Sequence, residues 1–133
     1  MAQKSKITIV SGGNSKVNAI IDDEIVLKTD QTVRNGGDGT APEPYTVYLA
    51  SIGTCAGAYV FAFCNKRDIS TDEIRIIQTN STENGKMTIE LTIEVPKDFP
   101  EKYKKALIKS AELCAVKKSI QNSPEFVTKT VVK

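Results

Sequence analysis

The sequence predicts one α+β domain over residues 1–133, with its elements in the order β-β-β-α-β-β-α-β. Three observations carry this. Apolar and polar residues alternate between Lys6 and Thr29, a charge-free run from Tyr45 to Cys64 follows a Gly/Pro-rich loop, and a second alternating pair flanks Asn84-Gly85. A chain of 133 residues suffices for one core and not for two independent ones.

The elements follow in chain order. Ile7 and Ile9, then Val17, Ala19 and Ile21, then Ile25 and Leu27 give three short strands, with turns near Gly12-Gly13 and Asp22-Asp23. Asn35 to Pro44 is a loop, because glycine and proline both interrupt regular structure there. Its glycines lack the spacing of a phosphate-binding loop.

The run Tyr45–Cys64 holds 20 residues without a charge, long enough to cross a bilayer. Thr46, Ser51, Thr54 and the tyrosines at 45, 48 and 59 dilute its hydrophobicity, and strand-like segments flank it. A central helix of a soluble assembly fits it better than a membrane span. Ala50, Gly53, Ala56 and Gly57 let another backbone approach closely. A helix with no polar face in so small a chain points to burial against a second subunit.

Ile74, Ile76 and Ile77 begin a strand, and Met87, Ile89, Leu91, Ile93 and Val95 alternate through its partner across Asn84-Gly85, a strong hairpin signal. Pro96 and Pro100 precede a helix from about Glu101, with Tyr103, Leu107, Ala111 and Cys114 at helical spacing. Val127, Thr128, Val131 and Val132 are read as a closing strand.

Eighteen Lys+Arg against sixteen Asp+Glu leave a formal charge of +2 with the signs interspersed, unlike a nucleic-acid or membrane-surface binder. The chain contains no histidine, which excludes a Ser-His-Asp triad, a Cys-His pair and a histidine general base. The three cysteines, Cys55, Cys64 and Cys114, form no CxxC pattern and no secreted disulfide framework. No metal site and no cofactor motif is therefore expected. The apolar run Ile7-Thr8-Ile9-Val10 is too short for a signal peptide. A reducing cytoplasm is the expected location.

Cys55 and Cys64 stand nine residues apart on one predicted helix, about 180° apart in projection, so they cannot share a site. Cys64 reads as a small buried hydrophobe. Cys114 lies in phase with Leu107, and Lys117 and Lys118 follow it at the spacing where an ammonium favours a thiolate. For Cys55 and Cys114 alike, the residues leave a core role and a redox role both open.

The segment Pro44-Tyr45-Thr46-Val47-Tyr48-Leu49-Ala50-Ser51-Ile52-Gly53-Thr54-Cys55 resembles the helix signature of the OsmC/Ohr family, here its broader OsmC-like branch. Cys114-Ala115-Val116-Lys117-Lys118-Ser119-Ile120 resembles the second family landmark, with Ala115 where proline is common. The element order matches as well. The resemblance implies an intertwined homodimer with the long helices packed at its centre between antiparallel sheets. It implies thiol-dependent reduction of organic hydroperoxides in oxidative-stress defence, with Cys55 peroxidatic, Cys114 resolving, a disulfide intermediate and an external dithiol as reductant.

Two positions depart from the family pattern. Asn14 follows Gly12-Gly13 where family peroxidases carry a thiolate-holding arginine, and Tyr45-Thr46 follow Pro44 where they carry its glutamate partner. Arg34 and Glu43 are the nearest replacements in sequence. Without a charge partner, a thiol of pKa about 8.5 is only a few per cent ionised at pH 7. The apolar tail of a hydroperoxide would suit a pocket lined by Phe61, Phe63, Tyr48 or their neighbours; the alternative is an OsmC-like dimer whose apolar interfacial pocket binds an apolar or lipid-like molecule, with little or no peroxidase activity.

Overall fold

The computed structural model describes residues 5–133. Three strands come first, β1 (Ile7–Gly13), β2 (Lys16–Ile21) and β3 (Ile25–Thr29), followed by the long helix α1 (Pro44–Asn65). Next are β4 (Arg75–Glu83) and β5 (Lys86–Glu94), and then two short helices, α2 (Lys104–Glu112) and α3 (Ala115–Gln121). The chain divides into two compact units, Met1–Ala50 and Ser51–Lys133, with the boundary inside α1.

In the first unit β1, β2 and β3 form an antiparallel sheet in sequence order. The register sets Ile7 opposite Ile21 and Ile21 opposite Ile25, and Ile9 opposite Ala19 and Ala19 opposite Leu27. Directly paired residues share a face, so the alternation in the sequence becomes one apolar face. In the single chain that face is largely open: Ile9 is 61% exposed and Ile25 62%.

The loop from Asp30 to Pro42 closes on a single carboxylate. Asp30 is fully buried and accepts hydrogen bonds from Ser15 Oγ (2.7 Å), Gln31 N (2.7 Å), Thr40 N (3.0 Å) and Thr40 Oγ1 (2.7 Å). The Thr40 hydroxyl is the largest of these influences, and together they hold the carboxyl well below the usual carboxylate range. Gly37 completes the turn. A Cβ there would run into the Gln31 carbonyl, with Gln31 Cα 2.8 Å away.

The second unit places the later part of α1, the β4–β5 hairpin and α2 around one core. Ala56, Val60, Cys64, Ile74, Phe99, Leu107 and Ala111 are its buried members, and Phe61, Phe63, Leu91 and Ile93 pack against it. The hairpin turn is Asn84-Gly85, both residues at positive φ (54° and 78°), with Glu83 opposite Lys86. That geometry is the primed two-residue turn which matches strand twist, as the dipeptide predicts. At the end of α1 the Arg67 guanidinium lies 3.6 Å from the Phe63 ring centroid and donates to the Phe63 carbonyl, closing the last turn with a cation.

Two expectations change. The closing strand over Val127–Val132 is not formed. Ser123–Lys133 carries no strand, and Val127, Val131 and Val132 are 78%, 82% and 101% exposed. Alternation specifies an apolar face, but a strand also needs a partner for its backbone groups, and this segment pairs with none of the described residues. The single late helix is instead a short 3-10 turn (Glu101–Tyr103) followed by α2 and α3, with a break at Leu113-Cys114. Helix α1 has a mean hydropathy of 1.6, high enough to cross a membrane, and 28% of its most apolar stretch is buried within the chain.

Asp30→Asn should lower the thermal midpoint at pH 7, since the amide brings N–H donors to a place already crowded with donors. Because the Asp30 pKa is depressed on folding, its stabilisation is fully present above the unfolded value of about 3.9 and is lost as pH falls towards the folded value. The gap between wild type and Asp30→Asn, read by thermal melts, should therefore narrow between about pH 5 and pH 2.

Candidate active site

Cys55 projects from the middle of α1 and is half-buried. Cys64 is fully buried among the core residues of the second unit. Burial pushes the Cys64 thiol pKa up, against a smaller opposing pull from Arg67. The helical spacing had separated these two cysteines, and their surroundings are indeed different.

Cys114 is also fully buried, but it stands between helices rather than inside one. It is the N-cap of α3, in extended backbone conformation (φ −46°, ψ 118°). Its sulfur accepts from the Lys117 backbone N–H at 3.5 Å, and its thiol reaches the Ile52 carbonyl of α1 at 3.8 Å. The sequence had suggested that the Lys117 ammonium would matter to Cys114. The interaction is with the Lys117 main chain instead, because the helix restarts after Cys114 and turns its first N–H groups back towards the cap.

This break also sets the Cys114 thiol on the Ile52 carbonyl, one helical turn before Cys55. The Val116 backbone N–H is the largest influence on the Cys55 sulfur and draws its pKa below the ordinary thiol value. Burial opposes this, while the Cys114 side chain and the Ala115 N–H act in the same direction as Val116. Three groups therefore lower the pKa of one half-buried sulfur. They lie on the segment 114–116, and two of them are main-chain groups with no signature in side-chain identity.

Arg34 is exposed on a 3-10 turn (Val33–Asn35), and the Glu43 carboxylate accepts from Asn35 Nδ2 at 2.9 Å. Asn14 sits at positive φ (50°) in the β1–β2 turn and its side chain hydrogen-bonds Asp38. None of these residues is among the groups that shift Cys55. Phe61 and Phe63 pack against the core, Phe63 edge-on to Tyr103 with ring centroids 5.8 Å apart. Tyr48 is 39% exposed and stacks against Tyr45. No three-residue cluster suited to a metal occurs among the described residues.

Residues 37–129 match the family model described as OsmC-like protein. The chain belongs to the OsmC-like family. No curated protein matches it. Among solved structures, this OsmC-like chain is similar to a protein of Psychrobacter arcticus 273-4 (18% identity, TM-score 0.69, 90% of each chain covered). It is similar to the OsmC-like protein of Mycoplasma pneumoniae (19% identity, TM-score 0.68, 92% of this chain and 91% of that one). It is also similar to the organic hydroperoxide resistance protein OhrB of Bacillus subtilis (23% identity, TM-score 0.53, 91% and 93%). At these identities the likeness is one of fold.

Alkylation of the native OsmC-like chain by iodoacetamide, mapped by peptide mass, should label Cys55 and spare Cys64. Val116→Pro removes the N–H with the largest influence on Cys55, at a first-turn position where proline is tolerated. The midpoint of the alkylation pH profile should then move up and the rate at pH 7 should fall several-fold. An unchanged profile would mean that the amide does not act on this thiol.

Proposed function

We propose that this OsmC-like protein is a thiol peroxidase for organic hydroperoxides, with Cys55 peroxidatic and Cys114 resolving. The observation that carries the reading is the half-buried Cys55, its thiol pKa lowered by the Val116 and Ala115 N–H groups and the Cys114 side chain, with the Cys114 sulfur on the Ile52 carbonyl one helical turn before it. Its likeness in fold to an organic hydroperoxide resistance protein supports the choice of oxidant.

The Cys55 thiolate attacks the hydroperoxide oxygen, the O–O bond breaks, and the alkoxide leaves as the alcohol after taking a proton. Cys55 becomes a sulfenic acid. The Cys114 thiol then condenses with it, releasing water and forming a disulfide. An external dithiol reduces that disulfide and returns both thiols.

The protein works as a homodimer in this reading. The apolar face of β1–β3 and the charge-free surface of α1, including Tyr45 (58% exposed) and Tyr59 (38% exposed), are both open in the single chain. Exposed apolar surface of this kind marks an interface, and a second copy of the same chain is the partner this reading assigns to it. A cytoplasmic location suits the three free thiols.

One feature favours a second reading, as a binding module for an apolar small molecule. A groove of about 490 Å³ lies between β5 and α2, its apolar side made by Ile89, Leu91, Ile93, Ile108 and Ala111 and its rim by Glu90, Thr92, Glu112 and Lys117. No cation is among the groups that shift Cys55.

Thiol titration after cumene hydroperoxide separates the two. Wild type should lose two thiols per chain, Cys55→Ser none, and Cys64→Ser as many as wild type. Cys114→Ser should stop at a sulfenic acid that dimedone traps. If wild-type thiols survive as long as those of Cys55→Ser, the peroxidase reading fails and the binding reading stands. Light scattering on the eluted protein should give twice the chain mass, and a monomer mass would refute the dimer.

A further inference from the structure

Helix α3 is the most weakly supported helix of its unit. It has seven residues, Ala115–Gln121, and none of them is buried. A helix this short does not persist in water on its own propensity, so its first turn must be held from outside. The Lys117 N–H of its first turn ends on sulfur, donating to Cys114 Sγ at 3.5 Å, and the Cys114 thiol reaches the Ile52 carbonyl of α1 at 3.8 Å. The Cys114 thiol that would join the disulfide is thus also the cap that ties α3 to α1.

We propose that formation of the Cys55–Cys114 disulfide releases α3, so that this helix reports the redox state of the pair. The proposal rests on the pairing of Cys55 with Cys114 given above. Condensation of the Cys55 sulfenic acid with the Cys114 thiol expels water and leaves two sulfurs about 2.05 Å apart with a dihedral near 90°. To reach that bond the Cys114 sulfur turns away from the Lys117 N–H, and its proton no longer serves the Ile52 carbonyl. The first turn loses its cap in that step.

The release also serves the return reaction. Cys114 is fully buried in the reduced protein. A dithiol must approach a sulfur along the S–S axis to reduce the bond. An opened α3 uncovers the Cys114 side of that axis, and reduction restores the cap on which α3 re-forms.

Diamide tests this without relying on a hydroperoxide. It takes two electrons and two protons from the thiol pair and becomes the hydrazine. Hydrogen exchange by mass spectrometry on peptides covering Ala115–Gln121 should be at least about 10-fold faster in the disulfide form than in the reduced form, with the β4–β5 peptides unchanged. Unchanged exchange in α3 after disulfide formation is confirmed by peptide mapping would overturn the proposal. If diamide gives no Cys55–Cys114 disulfide, the pairing itself is refuted, and this inference with it. Cys114→Ser keeps a hydroxyl cap and cannot form the bond, so α3 should stay protected with or without diamide. Cys114→Ala has no cap, and α3 should exchange fast in both conditions. Full protection in Cys114→Ala would show that sulfur does not hold the helix.

Discussion

The Cys114 sulfur receives the Lys117 N–H and sends its own hydrogen to the Ile52 carbonyl, so one buried atom ties the start of α3 to the middle of α1. The candidate site follows from this tie. Cys55 lies one helical turn beyond Ile52, and the segment that carries its donors begins at Cys114. Sulfur hydrogen bonds are individually weak. The arrangement relies on burial to sharpen them, since Cys114 is fully buried and water does not compete for its partners.

An activated thiol is usually explained by a neighbouring cation. Here the groups acting on Cys55 are backbone N–H groups and another thiol. Main-chain dipoles fixed at a turn are permanent and carry no net charge, so they stabilise an anion without adding a second group that titrates. Their effect depends on backbone placement, which makes the break after Leu113 as important to the chemistry as the cysteine that follows it. The same dependence links the reactivity of Cys55 to the integrity of a helix it does not belong to.

Much of this was legible in the sequence, and what was not has physical reasons. The alternation in β1–β3 gave the correct common face, because a period of two admits only one choice of side. Asn84-Gly85 gave the hairpin because both residues tolerate positive φ at low cost. The nine-residue spacing of Cys55 and Cys64 separated them, because helical phase is fixed by geometry. The break at Leu113-Cys114 was hidden, since Leu107, Ala111 and Cys114 continue a helical pattern whether or not the helix restarts. The donors from Ala115 and Val116 were invisible for a different reason: every non-proline residue carries the same N–H. The valines near the C-terminus read as a strand because pattern reveals an apolar face and says nothing about what pairs with it.

The strand pairings have a consequence for how this chain folds. Among the described residues every paired strand is joined to its sequence neighbour, β1 to β2, β2 to β3 and β4 to β5. The β4–β5 turn is two residues long, and the others are scarcely longer. Little loop-closure entropy is lost before these contacts form, so both sheets can assemble on local information. Among the distant contacts is the one that brings Cys114 to Ile52, at a sequence separation of 62. The reactive centre thus depends on the contacts of longest range, and a chain with both sheets in place can still lack its chemistry.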